Sequence, residues 1–224
     1  MSKGIQIAID GPSASGKGTV SREVARALGY TYLDSGALYR TVALLAHRMG
    51  VSLSDGPALV AMMQSFRFEA VSEIGFMGVA VNGERVGDAI RSESVGQGAS
   101  AVAKLREVRA ALLSLQRDLA SLGGVVMDGR DIGTVVLPEA QLKVFLTASV
   151  NARASRRHAE QLSRGIESSL ETVREALQHR DHQDANREHA PLCQAVDAIR
   201  VDSTDRSPED VVQEIVSLAR QRNA

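Results

Sequence analysis

The nine residues from Gly11 to Thr19, Gly-Pro-Ser-Ala-Ser-Gly-Lys-Gly-Thr, constrain this chain more than any other stretch. Two glycines five apart with a lysine after the second match the phosphate-loop pattern, in which small residues let backbone N–H groups curl inward around a phosphate. The flanks supply the context that such a loop needs. Ile5, Ile7 and Ile9 form a β-branched run ending in Asp10-Gly11-Pro12, which reads as a buried strand entering a loop. From Lys17 the apolar positions Val20, Val24, Ala27 and Leu28 recur at helical spacing until Gly29 stops them. Strand, loop and helix in this order aim the positive end of a helix at an anion.

The loop residues Gly11, Pro12, Ser13, Ala14, Ser15, Gly16, Lys17, Gly18 and Thr19 are therefore expected to hold the phosphates of ATP or GTP. Lys17 is placed to neutralise the β and γ phosphates and to follow charge as it moves. Gly18 departs from the pattern by occupying the usual Ser/Thr position, so the hydroxyl comes one residue later from Thr19. The Gly-Lys-Gly-Thr ending resembles that of small-molecule kinases, and the chain has no Asn-Lys-x-Asp segment of the kind that reads guanine in GTPases.

Further short apolar runs lie at Tyr30 to Leu33, Val125 to Met127, Leu142 to Leu146 and Ala198 to Val201. Helical periodicity fills Ala37 to Met49, Arg106 to Leu122, Asn151 to Leu162, Ser169 to Arg187 and Pro208 to Arg222. This alternation predicts an α/β fold, a parallel sheet with helices on both faces. One segment breaks the rhythm. Phe66 and Phe68 alternate with Arg67 and Glu69, and Val79-Ala80-Val81 leads through Asn82-Gly83 into Glu84-Arg85-Val86, a hairpin signal. Residues 63–92 are expected to form a small antiparallel insertion in one domain spanning 1–224, its core at 1–62 and 93–224. A chain of 224 residues with no repeat or Pro/Ser-rich linker suits one folding unit.

Two further segments sit where parallel sheets place ligands, at strand carboxyl ends. One is Asp34-Ser-Gly-Ala-Leu-Tyr39-Arg40, although Arg40 taken alone reads equally as a solvated helix residue. The other is Asp128-Gly-Arg130-Asp131-Ile-Gly133-Thr134. A carboxylate ending an apolar strand suits a magnesium ion held near phosphates, so Asp128, directly or through water, and Thr19 are the candidate metal residues. Spacing alone makes Arg180, Asp184 and Arg187 one helix face, readable as an exposed ion-pair ladder, and Arg153, Arg156 and Arg157 another, readable as a solvated one. His47, His158, His179, His182 and His189 have no metal-ligand spacing, and Cys193 is a single, inert thiol.

Three of these segments, Gly-Pro-Ser-x-x-Gly-Lys-Gly-Thr, Asp-Ser-Gly-Ala-x-Tyr-Arg and Asp-Gly-Arg-Asp-x-Gly-Thr-Val-Val, make the chain resemble bacterial cytidylate kinases over essentially its whole length. The resemblance implies a P-loop NTPase-type fold with a helical lid at about 151–168, and an ATP-dependent phosphorylation of CMP and dCMP with Mg²⁺. It also implies roles. Ser35, Tyr39 and Arg40 would line the CMP site, Arg40 and Arg130 at its phosphate, while Ser100, Arg109 and Asp131 would read the cytosine edge. The family pattern Arg-Asp-x-x-Asp-x-x-Arg falls on 180–187, which would put Arg180 and Asp184 at the ribose and Arg187 at the phosphates. Arg153 and Arg157 would join Lys17 and Arg130 as catalytic cations, with Arg156 on the ATP side.

The charge balance of 26 basic and 27 acidic side chains excludes a broad basic face for nucleic acid or anionic membrane. With no long apolar N-terminal stretch and no exposed apolar seam, a cytoplasmic monomer is expected. The alternatives are a P-loop kinase for UMP, AMP or shikimate, and a non-catalytic nucleotide-sensing module.

Overall fold

In the computed structural model, which describes residues 4–73 and 76–223, the isoleucine run becomes β1 (Gln6–Asp10), the centre of the sheet. It pairs in parallel with β6 (Val125–Gly129) on one side and β7 (Leu142–Thr147) on the other. β2 (Thr31–Asp34) lies beyond β6 and β8 (Ile199–Asp202) beyond β7, giving the parallel order β2-β6-β1-β7-β8. Successive residues of β1 point to opposite faces, and each face finds a helix layer. Ile7 and Ile9 pack with Val24 of α1 (Lys17–Leu28) and Ile215 of α8 (Pro208–Arg222). Ala8 packs on the other face with Met127 and Ala120, the last residue of α5 (Arg106–Ala120). Ile7, Ile9 and Ile215 are fully buried, each worth about 1.5–3 kcal/mol of apolar transfer.

The expected hairpin is present and lengthens the sheet. β3 (Phe68–Glu73) pairs antiparallel with β4 (Phe76–Val81), and Asn82 and Gly83, both at positive φ, turn the chain into β5 (Glu84–Arg85). β4 also meets β2 in parallel at Leu33↔Met77. Residues 74 and 75 of the expected insertion, and the side chains of 69–78, lie outside the described residues.

The helices follow the periodicity with informative shifts. α2 (Ser35–Met49) begins two residues before the expected Ala37, because the Asp34 carboxylate accepts the Ala37 N–H at 3.0 Å and caps the helix where β2 ends. Ser149 caps α6 (Val150–Ser163) and Ser169 caps α7 (Leu170–Ala185) in the same way. α7 closes before Arg187, which therefore lies just past the helix and not on its face. Four elements escaped the sequence reading: α3 (Gly56–Gln64), a 3₁₀ turn at Gly87–Arg91, α4 (Glu93–Val102) and a π-helical turn at Ile132–Val136. α3 and α4 are short and rich in Gly and Ala, so their apolar spacing is weak until it meets α2 and α5 in the second core.

Candidate active site

The glycine-rich loop leaves β1 at Gly11, where φ is 155° and an added Cβ would stand 2.0 Å from the Leu146 carbonyl oxygen, so no side chain fits there. Ala14 takes a left-handed φ of 59°, and Gly16, at φ 89°, caps α1. Lys17 is buried beneath the loop, and its Nζ donates to the Pro12 carbonyl at 2.7 Å and to Ser15 Oγ at 3.5 Å. Burial, then the Arg130 guanidinium, pushes its pKa well below the ordinary lysine value, while Asp128 and Asp10 act the other way. Thr19 is exposed in the first turn of α1.

Three strands carry carboxylates at or next to their ends: Asp34 lies opposite Asp128, and Asp10 opposite the Gly129 that follows it. Asp10 accepts the Ile132 N–H at 2.8 Å and the Gly133 N–H at 2.7 Å, tying the root of the phosphate loop to the turn after β6. Burial nevertheless lifts its pKa to about 6, against these two hydrogen bonds. Asp128 accepts from the Tyr32 hydroxyl at 3.0 Å, and burial, reinforced by Asp34, lifts its pKa to about 7. The Tyr32 hydroxyl is pushed up in turn, first by burial and then by Asp128.

One strand over lies a cluster of guanidinium groups from four parts of the chain. Arg40 pairs with Asp34 at 3.2 Å, Arg109 with Asp131, and Arg130 with Asp184 at 2.8 Å. Arg109 also lies over the Tyr39 ring, 5.7 Å from its centroid. Among the described residues Arg180 and Arg187 have no such ion pair. Arg180 Nε and Arg187 Nε and Nη2 are buried without a hydrogen-bond partner. Burial, then Arg130, lowers Arg180 to about 10, with Arg40 and Arg157 contributing; burial likewise lowers Arg187. Burial opposes ionisation of Asp184, but Arg130, Arg180 and Arg187 together outweigh it and its pKa falls. For Asp131 burial prevails over Arg109 and the pKa rises. Five guanidinium groups thus meet the carboxylates of Asp34, Asp131 and Asp184, a local positive surplus in a chain of net charge -1.

Other expected site residues are engaged differently. The Ser35 hydroxyl donates to the Asp128 carbonyl at 2.7 Å, bracing the turn after β6. Ser100 donates to the Gly96 carbonyl one turn back in α4 at 3.3 Å. Arg153 is buried, not solvated, and Arg156 reaches Ser203 Oγ at 3.1 Å in the loop after β8. Arg157 pairs with Glu160 at 2.9 Å near the surface, while its charge is felt at Arg180. The sequence reading did not single out Asp10, Asp34 or Tyr32 for roles. A signal was there, since Asp10 and Asp34 end apolar runs as Asp128 does.

A glycine loop opening a helix at the carboxyl edge of a parallel sheet, with guanidinium groups one strand away, defines a phosphotransferase of the P-loop class. A family model described as "Cytidylate kinase" matches residues 7–221, so the chain belongs to the cytidylate kinase family. It is 48% identical over 222 residues to a cytidylate kinase of a Geobacillus species, covering 99% of each chain. It is 49% identical over 224 residues to one from an Exiguobacterium species, covering 100% of each. Among solved structures, an uncharacterised protein from Eubacterium ventriosum shares the fold with a TM-score of 0.54 at 10% identity, over 97% of this chain and 98% of that one. Among the described residues no helix is long and apolar enough to cross a membrane.

Proposed function

We propose that this chain transfers the γ-phosphoryl of ATP directly to a phosphate oxygen of CMP, with dCMP as a further acceptor. The observation that carries this reading is the set of buried, unpartnered N–H groups on Arg180 and Arg187. Unsatisfied buried donors cost about 1–3 kcal/mol each, and a phosphate oxygen is the acceptor that would relieve them. Asp131 beside Arg109 offers an acceptor for the cytosine amine and a donor for the rest of the ring edge. Uracil has a carbonyl in place of that amine and would set an acceptor against Asp131.

The donor end works through Lys17 and the backbone of residues 11–19. Incoming phosphates would draw Lys17 off the Pro12 carbonyl and restore the charge that burial disfavours. Arg130 lies between the two ends, close enough to perturb Lys17 while paired with Asp184, so it is assigned to the transferring group. The acceptor phosphate is already ionised at neutral pH, and no strong general base is required. Arg157 joins Arg130 as the lid at 151–168 closes over the phosphates and excludes water.

The oxygen donors near the loop suit magnesium. Asp34 and Asp128 repel each other in register, which helps hold the Asp128 pKa near 7, and a cation would relieve that repulsion. Among the described residues no three His, Cys, Asp or Glu side chains form a cation site by themselves, so Thr19 and Asp128 would share the ion with phosphate oxygens and water. When bound, magnesium supplies neutralisation of the phosphate charge.

We take the chain to act as a monomeric, single-domain enzyme of the cytoplasm. The deciding experiment is ADP release with CMP, dCMP, UMP and AMP as acceptors at saturating ATP and Mg²⁺. Turnover is expected to be greatest with CMP and dCMP; comparable turnover with AMP, or none with any nucleotide, would refute the reading.

A further inference from the structure

The helix that presents Arg180 and Asp184 also touches the donor loop. Asp181, the next residue along α7, grips Arg153 of α6, Oδ2 to Nη2, at 2.7 Å. The same guanidinium donates from Nε to the Ala148 carbonyl at 3.0 Å and from Nη1 to the Ser13 carbonyl at 3.1 Å. All three nitrogens of Arg153 are thereby engaged, and its side chain is only 4% exposed. Ala14 packs beside this contact, against Ala154, Val173 and Leu177 of the two helices.

From this geometry we infer that Asp181 is a positioning residue that fastens the acceptor-binding helix to the phosphate loop through Arg153. The peptide between Ser13 and Ala14 is planar and trans, so holding its carbonyl toward Arg153 turns the Ala14 N–H the opposite way, away from Arg153 and free for a phosphate bound in the loop. Ala14 lies in the left-handed region, a conformation that external contacts must sustain. A carboxylate at 181 fixes the guanidinium plane and thereby that peptide. Arg153 therefore acts on the loop through its backbone, and not by gripping the transferring group. Because Arg180, Asp181 and Asp184 share one rigid helix, a nucleotide that orders the acceptor side also steadies the loop. The two substrates should then strengthen each other's binding, and each by the same factor.

This inference rests on the two-substrate reading above, and two measurements keep their failures apart. Binding of a non-hydrolysable ATP analogue to the full chain, titrated calorimetrically with and without CMP, requires no turnover. Wild type is expected to bind the analogue roughly five- to tenfold more tightly with CMP present, within the usual range of such coupling. Asp181→Asn should reduce that gain to within about twofold of none and weaken ATP binding alone severalfold, while the CMP to UMP preference in kcat/KM stays unchanged. Arg153→Lys, which keeps the charge but cannot span three acceptors, should do the same, and the double variant should be no worse than either single one. If Asp181→Asn proves unstable, Arg153→Lys carries the test. Coupling that survives in the folded variants, or effects that simply add, would overturn the inference, as would a wild-type enzyme that phosphorylates CMP without coupling. Absence of turnover with every nucleotide would instead count against the proposed function.

Discussion

The two ends of this site, proposed above for donor and acceptor, lie side by side on one sheet edge yet are made of different materials. The donor end is mostly backbone: nine contiguous residues, with Lys17 satisfied by the loop's own Pro12 carbonyl. The acceptor end is side chain: Arg40 from α2, Arg109 from α5, Arg130 from the turn after β6, Arg180 within α7 and Arg187 just past it, with three buried guanidinium nitrogens unmet. A backbone cradle is complete before its ligand arrives, whereas a guanidinium cluster carries an unmet electrostatic cost until an anion offsets it.

The carboxylates between the two ends give the largest expected effect. Asp128 has a folded-state pKa of about 7 against an ordinary value of 3.8, so its contribution favours folding below pH 3.8 and is lost as pH rises through about 7. The loss should be on the order of 4 kcal/mol for the ligand-free protein. Asp128→Asn removes the titration and keeps an acceptor for Tyr32, so its stability should fall far less between pH 5 and 8. Parallel Tm-versus-pH curves for the two proteins would show that Asp128 ionises normally.

Lys17→Ala should come next. Removing a preorganised cation beneath the transferring phosphates should lower kcat roughly 10²- to 10³-fold with the fold intact by circular dichroism. A variant within a few fold of wild type would mean that the backbone cradle suffices without it. At the other end, Arg187→Ala should reduce kcat/KM for CMP roughly a hundredfold through lost charge-assisted hydrogen bonds, with ATP affinity measured alone nearly unchanged. Deleting two unmet buried N–H groups should also leave Tm unchanged or higher; a clear fall in Tm would show that Arg187 is already satisfied in the unliganded protein. The smallest effect concerns base choice. Asp131→Asn should shrink the CMP to UMP preference in kcat/KM about tenfold while CMP activity falls, the loss of one charge-assisted hydrogen bond. Equal losses for both acceptors would make Asp131 structural.

The same contrast explains what the sequence discloses. The donor loop is readable because its nine residues are contiguous and flanked by a period-2 run and a period-3.6 run. The parallel sheet with helices on both faces follows from alternation, though its strand order does not, and the Asn82-Gly83 hairpin follows from turn chemistry. Arg180 and Arg187 are seven residues apart, and nothing in that spacing tells an ion-pair ladder from a pocket; burial does, and burial is a tertiary property. Arg153 shows the converse, since a polar helix face reads as solvated until Ser13, Ala148 and Asp181 are found around it. The insertion was legible as a hairpin but not as a continuation of the sheet, because the Leu33↔Met77 contact has no local signature.

The placement of β1 has a consequence for how the molecule comes into being. Ile7 finds its neighbours at Val126 and Leu142, so β1 leaves the ribosome long before either of the strands that flank it in the sheet. Roughly 120 residues must be synthesised before the first of them appears, which at about 5–20 residues per second takes on the order of ten seconds. Throughout that interval both backbone edges of β1 are unpaired, and of the helices that cover its isoleucines only α1 has been made. Non-local parallel pairing of this kind folds slowly and leaves the nascent chain open to misassociation. The N-terminal third is therefore where a growing chain depends most on chaperone protection, and where a slowed or truncated translation product should aggregate first.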